Sequence, residues 1–247
     1  MAKCWWNFPL RKESLAGKVI YQPEKGYRYS LEAFLLSSFV SLRPGERALE
    51  LGAGCGIITL LLSWRYPDHL FWGLEIQPPL LWSFARNVKE NGLVKRVLPV
   101  AGDVKAPPFK PGAFDVVFSN PPFYPLASGR LSPDLQERCA RHEILASLED
   151  FLKAAAFLLR NKGRFYLICA ADRIVEVFSI LVKNRLEPKC LRLVHSYPGD
   201  VARLFLLEAV KGAGRELKIL PPLFIYHTRG GAYSEEVVRA FQLAEAG

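Results

Sequence analysis

The sequence predicts an α/β protein: a mostly parallel sheet with helices on both faces. Three observations predict it. From Arg47 onward, short apolar runs alternate with segments of helical period. A glycine-rich turn, Gly52-Ala53-Gly54-Cys55-Gly56, joins the first such run to the first helix of the alternation. Four consecutive runs then each deliver a Gly, Glu, Asp or Asn to one edge, the edge where open α/β sheets bind ligands.

Residues 1–29 are punctuated by Pro9, Gly17, Pro23 and Gly26 and read as irregular, with Val19-Ile20-Tyr21 as one short strand. Ser30 is a candidate N-cap, and Glu32 in the first turn suits the helix dipole. The helix runs from Leu31 to Val40 and stops at Arg43-Pro44-Gly45. Arg47 to Leu51 is a strand and Ile57 to Arg65 a helix. His69 to Glu75 is a strand and Pro79 to Glu90 a helix, with Asn91-Gly92 as its stop. Val97 to Ala101 is a third strand of the series, and Pro99 inside it predicts an edge position. Phe114 to Ser119 is the fourth. Residues 124–147 read as an insertion loop with a polar helical piece. Leu148 to Leu159 is a helix closed by Asn161-Lys162-Gly163. Arg164 to Cys169 is a strand, Arg173 to Lys183 a helix, and Lys189 to Val194 and Ala202 to Val210 are strands. The tail holds an extended stretch from Leu220 to Tyr226, a Gly230-Gly231 turn and a last helix from Ser234.

The 247 residues are half hydrophobic, enough to bury a sizeable core. No apolar run approaches the length that spans a bilayer, and the start lacks a signal-peptide pattern, so a soluble cytoplasmic protein is expected. Five scattered cysteines do not make a disulfide framework. Cys139 and His142 have no second pair, so no metal site is expected. The net charge of +9 favours a polyanionic partner such as nucleic acid. Between Lys183 and Arg229 nine Lys/Arg stand against four Asp/Glu.

The chemistry concentrates at Asn120-Pro121-Pro122-Phe123, directly after a strand. Each proline fixes its own φ, and Pro121 biases Asn120 away from helix. The carbonyls of Asn120 and Pro121 and the Asn120 amide oxygen can converge as acceptors beside the Phe123 ring. That arrangement suits a planar ring bearing an NH2 group. Upstream, the glycine turn departs from the G-x-G-x-x-G dinucleotide fingerprint, because Ile57 stands where the third glycine belongs. The turn therefore fits another nucleoside-containing cofactor better than NAD. Glu75 has the spacing of an acid that binds ribose hydroxyls, and Asp103 follows the next strand.

The order Glu50-Leu-Gly-Ala-Gly-Cys-Gly56, Glu75, Asp103 and the Asn-Pro-Pro-Phe stretch resembles the class I S-adenosylmethionine-dependent methyltransferases acting on exocyclic amines. The resemblance implies a Rossmann-like seven-stranded, mostly parallel sheet with its last strand antiparallel. It divides the chain into a short N-terminal extension with its helix, residues 1–45, and a methyltransferase domain, residues 46–247. It implies that Gly52, Ala53, Gly54 and Gly56 approach the methionine portion of S-adenosylmethionine, that Glu75 binds its ribose, and that Asp103 and Val104 lie at its adenine. Tyr29, Glu50, Ile76 and Asn120 complete the implied cofactor set. Asn120, Pro121, Pro122 and Phe123 would hold the target amine and stack its ring. Three further stretches, Gly26 to Glu32, Ala140 to Glu143 and Leu220 to Tyr233, are similar to the bacterial tRNA adenine-N(6) methyltransferases that modify tRNA-Val beside the anticodon. That implies tRNA as partner, with Arg28, Arg130, Arg138, Arg141 and His142 as RNA contacts and no metal. One position departs: the family usually has Asp where this chain has Glu32. Three other readings stay open. They are a guanine-N(2) methyltransferase acting on rRNA, a glutamine-amide methyltransferase acting on a release factor, and an RNA-binding protein without activity. Against the release-factor reading, the protein-methylating group tends to carry a Glu-Pro pair where this chain has Arg138, Arg141 and His142.

Overall fold

A strand apolar at successive positions, with no polar alternate, has to be covered on both faces. Such strands form the centre of this fold. The computed structural model describes residues 9–15, 17–24, 29–122 and 145–242. In chain order they form β1 (Leu10–Leu15), β2 (Lys18–Pro23), α1 (Leu31–Phe39), β3 (Arg47–Leu51), α2 (Ile57–Arg65), β4 (Leu70–Glu75), α3 (Pro78–Glu90), β5 (Val97–Ala101) and β6 (Phe114–Ser119). After the stretch that is not described come α4 (Leu148–Leu158), β7 (Leu159–Ala170), α5 (Ile174–Lys183), β8 (Leu186–His195) and β9 (Ala202–Lys211). Two short strands, β10 (Lys218–Ile219) and β11 (Leu223–Phe224), and α6 (Glu235–Gln242) complete the set.

The main sheet runs β10-β8-β9-β7-β6-β3-β4-β5, with β11 also paired to β8. Its seven long strands match the expected count. β9 is antiparallel to both β7 and β8, and the other pairings are parallel. The expected antiparallel last long strand is therefore present. β5 ends the sheet, where the missing N–H of Pro99 costs no ladder bond. Alternation along the strands divides the core into two layers. Ala48, Val116, Phe118, Tyr166 and Ile168 face α1, α2, α3 and α6. Leu49, Leu51, Val117, Phe165 and Leu167 face α4 and α5.

The structure corrects the sequence reading at three places. Residues 10–15 are a strand, not irregular chain. β1 pairs along its whole length with β2 across a two-residue connection whose Gly17 has φ +77°. Its sequence, Leu-Arg-Lys-Glu-Ser-Leu, is too polar to show a buried face. Asn161-Lys162-Gly163 is a bulge inside β7, not the end of a helix. Leu159 pairs with Phe114 and Arg164 with Val116, so the residues between them loop out, and Lys162 takes φ +62°. The sheet also gains β10 and β11, because the tail runs back along β8 as far as His195. At the first helix, Ser30 occupies the N-cap but its side chain makes no capping bond.

The hairpin of β1 and β2 is held by two asparagines one turn apart, Asn87 in α3 and Asn91 at its C-cap. Asn87 Oδ1 accepts from Tyr21 N at 2.6 Å, and its Nδ2 donates to Tyr21 O at 3.0 Å. Asn91 pairs in the same way with Val19 N at 3.1 Å and Val19 O at 2.7 Å. The two side chains mimic a strand edge for β2. Asn87 Nδ2 also donates to Cys55 O at 2.9 Å, tying the hairpin to the glycine turn.

The start of α2 is held from below. The first-turn amides of a helix lack partners within it, and Gly56 at the N-cap has no side chain to supply one. Glu50, 2 % exposed at the end of β3, does so instead. One carboxyl oxygen accepts from Thr59 N at 3.0 Å and from the Thr59 hydroxyl. Burial pushes the Glu50 pKa up to about 8, against the lowering effect of the Thr59 bonds and with a smaller upward push from Glu75.

The sign of the linkage follows. The folded state holds the Glu50 proton to higher pH than the unfolded chain, whose Glu titrates near 4.5. Its contribution to stability is complete below that value and is lost as pH rises through about 8. Urea denaturation from pH 5 to 9 should therefore show stability falling across this window, and Glu50→Gln should flatten the fall. An unchanged pH profile in Glu50→Gln would show that Glu50 does not carry it.

Candidate active site

The carboxyl ends of β3, β4, β5 and β6 meet at one cleft of about 620 Å³, counting its open solvent. Gly52 and Gly54, at φ +70° and +57°, turn the chain at the end of β3 and line the cleft. Gly52 N and Ala53 N both donate to Leu74 O, at 2.9 and 3.0 Å, which seats the turn on the end of β4.

Glu75 organises the rest. It is 4 % exposed. Its Oε2 accepts from Gly54 N at 2.8 Å and its Oε1 from Gln77 N at 2.8 Å. Burial pushes its pKa up, and the backbone amides of Gln77 and Gly54 oppose that push. Each carboxyl oxygen carries two lone pairs, so these two bonds leave acceptor capacity for a diol. Asp103, after β5, folds its own turn by accepting from Lys105 N at 2.9 Å, and it lines the cleft beside Val104.

Ser119, at the end of β6, donates from its hydroxyl to Leu51 O at 2.8 Å and fixes Asn120 beside the glycine turn. Asn120 and Pro122 line the cleft, and Pro121 is buried behind them. Among the described residues, the buried Asn120 Oδ1 has no hydrogen-bond partner. Buried polar atoms without partners are rare and costly. Here the free acceptor lies at the cleft that also holds Glu75 and Asp103, so it is available to a ligand.

Gly52, Gly54, Glu75, Ile76, Asp103, Val104 and Asn120 thus share one cleft. Four other predicted cofactor residues lie outside its lining. A Cβ on Gly56 would stand 2.0 Å from the Phe84 ring, so this glycine makes room for packing and starts α2. Ala53 is buried in the core cluster that includes Phe84, and a Cβ on Gly73 would come within 2.9 Å of the Ala53 methyl. Glu50 lies below the turn, on Thr59. Tyr29 is bonded to the hairpin. Its N donates to Gln22 Oε1 at 3.0 Å and its hydroxyl to Glu13 at 3.4 Å. Burial and then Glu13 push the Tyr29 pKa up to about 12. Phe123, Arg28, Arg130, Arg138, Arg141 and His142 lie outside the described residues, as do Cys139 and most of the expected insertion.

The cleft also contains residues that the sequence reading missed. Phe151 reaches it from α4, and a Cβ on Gly52 would come 2.9 Å from its ring. No local motif marks that contact, because 99 residues separate the two. Gln77, which donates to Glu75, follows a strand end as the predicted residues do and could have been found on that ground.

The cleft fits a nucleoside-containing cofactor. It offers bare backbone at Gly52 and Gly54, a buried carboxylate with spare acceptor capacity, apolar walls from Leu80 and Phe151, and a second carboxylate at Asp103. Among the described residues, no cluster of His, Cys, Asp and Glu could hold a metal ion, and no helix is long and apolar enough to cross a membrane.

Comparison with known proteins agrees with this geometry. Residues 48–142 match a family model described as a methyltransferase domain. A tRNA1(Val) (adenine(37)-N6)-methyltransferase of Porphyromonas gingivalis is 30 % identical, over 78 % of this chain and 77 % of the relative. One of the same name from Aeromonas hydrophila is 25 % identical, over 84 % of this chain and 86 % of the relative. Among solved structures, a predicted O-methyltransferase from Agrobacterium tumefaciens superposes with a TM-score of 0.70 at 21 % identity, covering 87 % of this chain and 97 % of its own. At that identity the likeness speaks for the fold alone. From the cleft and the relatives together, the chain belongs to the tRNA1(Val) (adenine(37)-N6)-methyltransferase family of S-adenosylmethionine-dependent methyltransferases.

Proposed function

We propose that this protein transfers a methyl group from S-adenosylmethionine to the 6-amino group of an adenine in tRNA, the adenine at position 37 of tRNA1(Val) for which its relatives are named. The observation that carries the reading is the unpartnered acceptor of Asn120, buried beside the cofactor cleft.

S-adenosylmethionine supplies an electrophilic methyl on its sulfonium and leaves as S-adenosylhomocysteine. The chain's own residues have two tasks. The first is to hold the cofactor. The Gly52 and Gly54 backbone admits the methionine portion, Glu75 accepts from the ribose hydroxyls, and Asp103 with Val104 borders the adenine.

The second task is to prepare a weak nucleophile. The lone pair of an adenine amine is delocalised into the ring. Asn120 Oδ1 and the Pro121 carbonyl accept its two N–H groups and draw the nitrogen toward a tetrahedral shape. As positive charge develops on that nitrogen, both acceptors bind it more tightly, which lowers the barrier. Stacking would fall to Phe123. A base in a stacked loop must first be extruded, and pairing with Asn120 offsets part of that cost. An amide is not a strong base, so the extra proton leaves to water after transfer. Arg28, Arg130, Arg138, Arg141 and His142 remain the proposed contacts to the RNA backbone.

The adenine reading is favoured over guanine and over a glutamine amide because the relatives covering most of the chain bear adenine names. Nucleoside mass spectrometry after incubation of the enzyme with S-adenosylmethionine and unmodified tRNA or rRNA tests the choice. N6-methyladenosine from tRNA is the expected product. Methylguanosine from rRNA, with tRNA unmodified, would replace this reading with the guanine one.

Glu75→Ala removes two charge-assisted ribose bonds, each worth roughly 1.5–3 kcal/mol. Calorimetry should show S-adenosylhomocysteine binding weakened by at least ~100-fold. Unchanged affinity would remove Glu75 from the ribose.

A further inference from the structure

The sheet does not end level at the cleft. By register, Ser119 of β6 stands level with Leu167, Leu207 and then Leu191 of β8. β8 continues to His195, four residues further, or about 13 Å at strand rise. It lies three strand spacings from β6, about 14 Å. β11 lies on its outer side, paired at Val194 and His195. A wall therefore rises beside the cleft on the side of β7.

The top of that wall is a built loop. Ile225 N donates to His195 O at 2.9 Å and Tyr226 N to Ser196 O at 2.8 Å, so the tail follows β8 past its end. His227 N donates to Ala232 O at 3.1 Å and Gly231 N to Thr228 O at 3.0 Å, closing a tight turn over residues 227–232. At its base Tyr226 and Tyr233 stack, with ring centroids 5.0 Å apart and planes 15° from parallel. Phe241 meets Tyr233 edge-on from α6. Tyr233 is still 41 % exposed.

The charges at this loop are unbalanced. The neighbouring acids are engaged: Asp200 with Arg203, Glu235 with Arg239 and Glu236 with Arg192. Among the described residues, no acid pairs with Arg229, which is exposed at the tip beside His227. An exposed Arg229 at the loop tip and an exposed Tyr233, stacked on Tyr226 at its base, combine the two elements of single-stranded nucleic-acid recognition, a cation for phosphate and a ring for a base.

We propose that the 226–233 loop is a second RNA-binding element, which grips the substrate strand outside the reaction cleft. Arg229 contacts a phosphate and Tyr233 stacks a base or ribose of the RNA that flanks the target nucleotide. The element rests on the tRNA reading above and adds affinity for RNA without touching the cofactor or the reacting amine.

Arg229→Ala and Tyr233→Leu, singly and together, test it on the full-length protein. Filter binding to unmodified tRNA should weaken roughly 10-fold in the double variant, and the salt dependence of binding should flatten by about one unit for lost Arg229. KM for tRNA should rise in step, with kcat and S-adenosylhomocysteine affinity unchanged. Arg229→Lys should restore most of the binding, which a merely structural loop would not require. Parental tRNA affinity and salt slope in Arg229→Ala, a substitution on an exposed turn, would overturn the proposal. If the parent binds tRNA through this loop and yet leaves it unmethylated, the functional reading fails while this one stands.

Discussion

A glycine turn that must bring bare backbone to a ligand has no side chains of its own to hold its shape. In this protein two buried carboxylates hold it from below. Glu75 takes the amide of Gly54, and Glu50 takes the first-turn amide of the helix that follows. Each stands at the end of a buried parallel strand, so the sheet sets where the turn sits. Burial pushes both pKa values up. Glu75 accepts a backbone amide on each of its oxygens and lines the cleft, while Glu50 takes the Thr59 amide and hydroxyl on one oxygen below the turn.

Other contacts converge on the same turn. Phe84 fills the space that glycine leaves at Gly56 and Gly73, and wedges α3 under the loop. Asn87, one turn further along α3, joins the Cys55 carbonyl to the edge of β2. The N-terminal hairpin is thus wired to the cofactor side of the cleft by one amide side chain. On the other side, the bond from Ser119 to Leu51 sets the end of β6 beside the turn and leaves Asn120 at the cleft with its oxygen free. The proposed cofactor contacts and the proposed acceptor for the target amine are then parts of one sheet edge, whose strand ends are hydrogen-bonded to one another.

Much of this was legible in the sequence. β3, β5 and β6 were read with their observed ends because each is short, apolar and bounded by breakers. Glu75, Asp103 and Asn120 were legible as candidates for one cleft because each stands at or just past the carboxyl end of a strand, and parallel strands bring those ends together. What the sequence concealed depends on contacts between distant residues. β1 shows no apolar period, since it is a polar strand that, among the described residues, pairs with β2 alone. Gly56 looks like a third cofactor glycine, and only the position of Phe84, 28 residues on, reveals that it makes room for a ring. Phe151 reaches the cleft from α4 with no motif of its own. Asn87 looks like an ordinary helix residue and Asn91 like a helix stop until the edge of β2 is laid against them.

The central claim is that Asn120 acts on the amine and not on the cofactor. Single-turnover methyl transfer to tRNA by Asn120→Ala, with S-adenosylhomocysteine affinity measured alongside, tests it most directly. Loss of one preorganised acceptor that strengthens in the transition state should slow transfer by at least ~100-fold. Cofactor affinity should stay near the parental value, because the glycine turn, Glu75 and Asp103 remain. Transfer at the parental rate, in a folded protein that still binds the cofactor, would make the Asn-Pro-Pro stretch a structural turn and contradict the account.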